Sequence, residues 1–252
     1  MNKITLITGA TSGIGKACAI HFAKQKHDLI LTGRRAERLT ELASTLENEE
    51  QIKVLPLAFD IRDRKATETA ISSLADQWKN IEILVNNAGL AAGLNTVQDG
   101  LIDDWEQMID TNIKGLLYMS RAILPLMINN GKGHVINIGS IAGKEVYPNG
   151  NVYCATKFAV DALTKGMRID LVKHGIKVTQ IAPGAVETEF SNVRFHGDDE
   201  RATTVYKGYQ PLLPEDVAEV VYYATTLPKH VNINDLVLMP TSQASAAIMY
   251  KE

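Results

Sequence analysis

Cysteine is scarce in this chain: Cys18 and Cys154 are the only two in 252 residues, and neither belongs to a CxxC pair. That excludes a disulfide framework and suits a reducing compartment, so a cytoplasmic protein is expected. Long apolar runs are missing as well. The run over 4–7 near the first methionine is far too short for a signal-peptide core or a membrane span, so no membrane association is expected. No excess of basic charge exists either, with 26 Lys and Arg against 29 Asp and Glu. A basic face is what phosphate backbones require, and nucleic acid is therefore not an expected partner. Linkers, internal repeats and low-complexity blocks are absent, which leaves no point at which to divide the chain. What remains is an ordinary globular composition, 45% apolar and 22% charged. One α/β sheet between two helical layers routinely reaches this length, so residues 1–252 are expected to form a single domain.

Short apolar runs alternate with longer helical patterns. Strands are expected over 4–8, 29–32, 53–59, 83–86, 134–138, 177–181 and 236–239, several of them apolar at consecutive positions, as suits parallel strands covered on both faces. Helices are expected over 13–26, 36–48, 63–79, 103–129, 152–174 and 214–226. Such repetition implies βαβ units with right-handed crossovers, hence an α/β doubly wound Rossmann fold with a seven-stranded parallel sheet. Residues 185–210 break the rhythm, being charged and without clear period. A connection of that length following a strand is expected to act as a lid, because ligands in such sheets bind at the strands' carboxyl ends.

The first strand runs into Thr8-Gly9-Ala10-Thr11-Ser12-Gly13-Ile14-Gly15. Glycines at a strand-to-helix turn permit positive φ and close backbone approach, and the helix N-terminus offers free N–H groups to a pyrophosphate. The GxxxGxG spacing is a variant of the dinucleotide fingerprint, weak alone but supported by the strand before it and the helix after it. Where an NAD enzyme usually carries an acid for the ribose 2′-hydroxyl, this chain reads Thr32-Gly33-Arg34-Arg35. Two guanidinium groups suit a 2′-phosphate, and arginine is disfavoured by the dipole at a helix N-terminus, so NADP is the expected cofactor.

Ser140 follows the fifth strand, and Tyr153 and Lys157 stand four apart on one helix face. A phenol with a pKa of about 10 is a poor proton donor near neutrality, and an adjacent ammonium is expected to lower it toward the working range. Taken singly these residues read as a surface helix pair and a strand-end cap. Together with the glycine turn TGATSGIG, the run Asn86-Asn87-Ala88-Gly89 and the segment YCATK, occurring in that order, they resemble the short-chain dehydrogenase/reductase family over nearly the whole chain. The resemblance implies that Tyr153 is the general acid/base, that Lys157 holds the nicotinamide ribose and tunes Tyr153, and that Ser140 orients the substrate. It assigns Asn112 to a fourth catalytic position that holds a water in the proton relay. It further implies that Asp60 and Ile61 line the adenine, that Asn87 with Ala88 and Gly89 borders the ribose, and that Pro183, Gly184, Val186 and Thr188 wrap the nicotinamide end. No metal is called for.

Fold alone names no substrate. The stretches TGRRAERL, NVY-ATK, EFSNVRF-GDD and HVNIN resemble those of the NADP-dependent 3-hydroxy acid dehydrogenases within the family, as does the segment NDLVLMPT over 234–241 where many members carry a VDGG-like sequence. The activity implied is interconversion of a small 3-hydroxy acid (serine, allo-threonine or 3-hydroxypropionate) with its 3-oxo acid or semialdehyde. Its carboxylate needs a partner, which Arg194 could supply. A surface salt bridge from Arg194 to Asp198 or Asp199 is the plainer alternative.

Two rivals stand beside this reading. A 3-oxoacyl carrier-protein reductase shares the tetrad but is expected to carry basic residues for its acidic partner, whereas the lid holds Glu187, Glu189, Asp198, Asp199 and Glu200. A non-catalytic NADP(H)-binding sensor is expected to lose Tyr or Lys, and this chain keeps all four positions. The helices over 103–129 and 152–174 are apolar on more than one face. In the resembled family they form a dimer's four-helix interface, so a homotetramer built as a dimer of dimers is expected.

Overall fold

Five consecutive buried residues, ITLIT, make the first strand, and HVINI makes an equally buried fifth. Strands of this kind cannot have a solvent face, and the architecture follows from covering them. The computed structural model describes residues 2–252. In chain order its elements are β1 (Ile4–Thr8), α1 (Gly13–Lys24), β2 (Asp28–Gly33), α2 (Ala36–Glu50), β3 (Val54–Ala58), α3 (Arg64–Ser72), β4 (Ile81–Asn86), α4 (Ile102–Ile109), α5 (Leu116–Asn130), β5 (His134–Ile138), α6 (Asn151–Leu171), β6 (Lys177–Pro183), α7 (Phe190–Arg194), α8 (Asp199–Thr204), α9 (Pro214–Thr226) and β7 (Asp235–Leu238).

All seven strands pair in parallel, in the order β3-β2-β1-β4-β5-β6-β7. The expected Rossmann-type sheet is therefore present. One apolar layer joins Phe22 of α1, Leu42 of α2 and Val221 of α9 to one face. The other joins Ile71 of α3, Ile123 and Met127 of α5 and Val160 of α6 to the opposite face. The winding reverses between β1 and β4, and it is there, at the carboxyl ends of the strands, that such sheets open a crevice. No helix among the described residues is long and apolar enough to cross a membrane.

Three expected elements differ. The helix expected over 63–79 stops at Ser72 and resumes as one 3₁₀ turn, Asp76–Trp78. Ser72 and Ser73 donate their hydroxyls back to the carbonyls of Thr69 and Ala70, competing with the helical ladder. The helix expected over 103–129 is two helices joined by a wide π-helical turn, Asp110–Gly115. The 185–210 segment is not irregular but carries α7 and α8, and its start is tied to residue Leu212 by a bridge from Val186.

Candidate active site

Backbone geometry at the first turn is set by glycine. Gly9 and Gly13 have φ of +67° and +51°, and a Cβ on Gly15 would stand 2.3 Å from the Gly9 carbonyl oxygen. The turn is braced from β4: Asn87 Nδ2 donates to the carbonyls of Thr8 (2.9 Å) and Gly9 (3.2 Å), while Thr8 Oγ1 accepts from the backbone N–H groups of Asn87 and Ala88. Beside it opens a cleft of about 330 Å³. Every residue assigned from the sequence to catalysis, cofactor or substrate lines this cleft except three: Gly15, which lies beneath the turn, Asn112 and Arg194.

At one end of the cleft Arg35 folds back over the turn. Its Nε and Nη2 donate to Thr11 Oγ1 (3.1 and 2.8 Å), and Nη2 also to Ser12 Oγ (2.8 Å). Glu189 reaches across from the 185–210 segment to accept from Arg35 Nη1 (2.9 Å) and Arg38 Nη1 (2.8 Å). Hydrogen bonds from Arg35, against some desolvation, hold the Glu189 carboxyl below its usual range. Asp60 pairs with Arg62 at 2.7 Å. Burial pushes the Asp60 carboxyl up, but the Arg62 hydrogen bonds and charge outweigh this and lower it. Ile61 packs where Gly115 allows the π-turn to approach, 2.9 Å from the position a Cβ would take.

At the other end stand Ser140, Tyr153 and Lys157, all buried. Ser140 Oγ accepts from Ala142 N–H at 3.1 Å and so caps the short turn after β5, and donates to the Pro183 carbonyl at 3.5 Å; its proximity draws the Tyr153 phenol's pKa down against the larger effect of burial. Lys157 Nζ donates to the Ile138 carbonyl at 3.0 Å and lies 5.9 Å from the Tyr153 ring centroid. The expectation that Lys157 lowers the Tyr153 pKa is corrected here. Burial dominates and drives the phenol upward, while burial lowers the Lys157 ammonium to about 8. In this form Tyr153 is a neutral proton donor.

Asn112 sits behind this group within the π-turn. Its Nδ2 donates to the Leu90 carbonyl (2.8 Å) and Thr156 Oγ1 (3.0 Å), and its Oδ1 accepts from Leu90 N–H (2.9 Å). It thereby fixes the segment that follows Gly89. The wide turn that exposes this side chain inward is the kind of helical irregularity found at functional sites.

Arg194 borders a smaller recess on the far side of Tyr153, shared with Asp104 and Asn151. It forms no salt bridge to Asp198 or Asp199: Nη2 donates to Tyr147 Oη at 2.8 Å, Nε to the Gly93 carbonyl at 3.3 Å, and the guanidinium lies 5.7 Å from the Tyr153 ring centroid. Phe190 packs edge-on against Tyr153 at 5.6 Å. Glu189, Arg38, Tyr147 and Phe190 were not legible as site residues. Arg38 stands in the first turn of α2, three residues beyond Arg35 at its N-cap, a spacing that could have flagged it, whereas Tyr147 lies in a loop with no periodic signal.

The cleft thus offers hydroxyl, guanidinium and glycine-turn groups suited to a diphosphate bearing a further phosphate, and a buried phenol–hydroxyl–ammonium set at the opposite end. Residues 3–199 match the profile of the family described as short chain dehydrogenase. Over 246 residues the chain is 50% identical to the NADP-dependent 3-hydroxy acid dehydrogenase YdfG of Escherichia coli strain K12, covering 97% of this chain and 98% of that protein. It is 48% identical over 248 residues to sulfoacetaldehyde reductase 2 of Chromohalobacter salexigens, covering 98% of each. Among solved structures, the closed form of a serine dehydrogenase complexed with NADP+ superposes with a TM-score of 0.92 at 48% identity, covering 99% of both chains. With the sheet order, the braced glycine turn and the Ser140–Tyr153–Lys157 group already in place, these matches along nearly the full length make this chain a member of the short-chain dehydrogenase family.

Proposed function

We propose that the protein is an NADP(H)-dependent oxidoreductase that interconverts a small 3-hydroxy acid and its 3-oxo acid or semialdehyde. The observation that carries this reading is a cation on each side of Tyr153's surroundings: Arg35 on the glycine turn of the cleft, where a 2′-phosphate belongs, and Arg194 in the adjoining recess that shares Tyr153 with the cleft, 5.7 Å from its ring centroid, where a substrate carboxylate belongs. The relatives named for NADP, for 3-hydroxy acids and for serine support it.

When bound, NADP(H) supplies or accepts hydride. Gly9, Thr11, Ser12, Gly13 and Ile14 with Arg34 and Arg35 would hold its phosphates, Asp60 and Ile61 its adenine, Asn87, Ala88 and Gly89 the ribose beside the turn, and Pro183, Gly184, Val186 and Thr188 its nicotinamide end. Tyr153 moves the proton: as a neutral phenol it donates to the carbonyl oxygen during reduction and is left as the phenolate, and in the reverse direction the phenolate takes the alcohol proton and becomes the neutral phenol again. Ser140 holds the same oxygen. Lys157 supplies positive charge behind the phenol, and Asn112, through Leu90 and Thr156, keeps the helix pair around them in register.

Residues 1–252 work as one catalytic unit in this account, with 185–210 as the lid. Arg194 and Tyr147 together make the acid-binding corner, since Tyr147 Oη accepts from Arg194 and keeps its own O–H to donate. The exposed apolar residues Phe158, Ile169 and Val172 of the α6 region, with Ile109 and Leu117 beside the π-turn, support assembly through these helices into a homotetramer. Two buried, unpaired cysteines suit the cytoplasm.

The test is a panel of steady-state rates on serine, allo-threonine, 3-hydroxypropionate, an uncharged secondary alcohol and a 3-oxoacyl thioester with both nicotinamide cofactors. The hydroxy acids are expected to lead with NADP+. Turnover confined to thioesters would replace the reading with a carrier-protein reductase, and cofactor binding with no turnover at all would replace it with a sensor.

A further inference from the structure

The guanidinium of Arg35 faces two ways. Its Nε and Nη2 edge donates to Thr11 and Ser12 on the glycine turn, whereas Nη1, at the other end, donates to Glu189 Oε2 at 2.9 Å. Arg38, one helical turn further along α2, donates to the second oxygen of Glu189 at 2.8 Å. Glu189 stands immediately before α7, whose Phe190 lies edge-on to the Tyr153 ring and whose Arg194 lies over it. One lid carboxylate therefore spans from the arginine cluster to the helix that roofs the acid/base tyrosine, a connection between the two ends of the cleft that is not made through the sheet.

Charge and geometry leave room for a phosphate as well. Arg34, Arg35 and Arg38 carry three positive charges and Glu189 one negative, so the balance is close to the charge of a phosphomonoester near neutral pH, about −1.5 to −2. The bidentate edge of Arg35, which fits a phosphate, points at the turn hydroxyls and not at Glu189.

We propose that Glu189 is a positioning residue that couples the 2′-phosphate site to the lid: Arg35, fixed on its Thr11 and Ser12 edge by a 2′-phosphate, holds Glu189 through Nη1, and Glu189 with Arg38 holds α7 closed over Tyr153. The inference rests on the NADP(H) reading above. It assigns part of the discrimination against NAD(H) to the lid, because without the phosphate Arg35 is steadied only by two hydroxyls and α7 closes less firmly. Exposed ion pairs are individually weak, so effects of several-fold are expected and not of orders of magnitude.

The experiment compares the full-length wild type with E189Q and R38A. It reads the NADP+ and NAD+ Kd by calorimetry, the KM of the hydroxy acid turned over fastest, and hydrogen–deuterium exchange of residues 190–194 with and without NADP+. Both variants are expected to keep the NADP+ Kd within about 3-fold, to raise the hydroxy acid KM about 5-fold with NADP+, and to lose much of the protection of 190–194 that NADP+ confers on the wild type. The double variant is expected to resemble either single one, as members of one network do. Unchanged KM and exchange overturn the coupling. So does a change in NADP+ Kd larger than the change in KM, since tightening would mean that Glu189 competes with the phosphate. A wild type that binds NAD+ as tightly as NADP+ overturns the cofactor reading and the coupling with it; a wild type that prefers NADP+, with unaltered variants, overturns the coupling alone.

Discussion

Lys157 points its ammonium at the Ile138 carbonyl, 3.0 Å away, and not at the phenol of Tyr153 four residues before it. Helical spacing alone suggested a direct pair. Instead the lysine is held by the end of β5, and the tyrosine shares the pocket beside it.

Burying this ammonium is a standing cost. Its pKa falls from 10.5 to about 8 because of burial, so the unfolded chain holds the proton more firmly. The destabilisation is complete below about pH 8 and fades as pH rises toward 10.5. Lys157→Met is expected to raise stability at neutral pH by on the order of 1–3 kcal/mol while removing activity. Urea melts with parallel rate assays check this; equal or lower stability of the variant contradicts it.

Acid should weaken the fold through two histidines far from the cleft. Burial, followed by the charge of Lys177, lowers His134 to about 3, and burial, followed by the charge of Lys3, lowers His27 to about 4, both from 6.5. Depressed values mean that their contribution is fully present above about pH 6.5 and is lost as pH falls through that range, where the unfolded chain takes up protons and the folded chain does not. The urea midpoint is expected to decline between these limits. His134→Gln, whose amide can replace the Nε2 contact to Thr179 at 2.7 Å, should flatten the decline.

Cofactor choice is expected to reside in the arginines at the end of β2. Replacing Arg34 and Arg35 together with Ala should weaken NADP+ binding by on the order of 10- to 100-fold and leave NAD+ affinity nearly unchanged, as charge-assisted contacts to a lost phosphate require. Calorimetric titration with each nucleotide reads the two effects separately. Equal losses for both would place the arginines outside phosphate recognition.

The acid-binding corner separates substrates by charge. Arg194→Ala is expected to raise KM for a hydroxy acid at least about 10-fold while an uncharged secondary alcohol is affected far less, and Tyr147→Phe should do the same more mildly. Equal effects on both substrates would assign Arg194 to packing against Tyr147 and Gly93 alone.

Most of the fold was legible because its strands are short, apolar and separated by strong helical periods. The breaks were not. Ser72 and Ser73 end α3 by local hydroxyl competition, which a periodicity count does not register. The π-turn at Asp110–Gly115 keeps an apolar pattern across it, so 103–129 read as one helix. At the site, glycine spacing and the Tyr153–Lys157 interval carry chemistry along the sequence. Glu189, by contrast, meets Arg35 across more than 150 positions, and its lid context gave the appearance of a free acid. The direction of the Tyr153 shift was hidden for a related reason: the i, i+4 spacing is visible in sequence, but the depth of burial that raises the phenol, and the Ile138 carbonyl that holds Lys157, are not.

The central claim is that Tyr153 moves the proton for NADP(H)-dependent oxidation of a 3-hydroxy acid. Its most direct test is kcat/KM for serine with NADP+ in the wild type and Tyr153→Phe, with cofactor affinity and melting temperature measured in parallel. The account predicts a fall of about 10²–10⁴-fold in kcat/KM with NADP+ binding and stability preserved. A variant that keeps more than about a tenth of wild-type kcat/KM would contradict it.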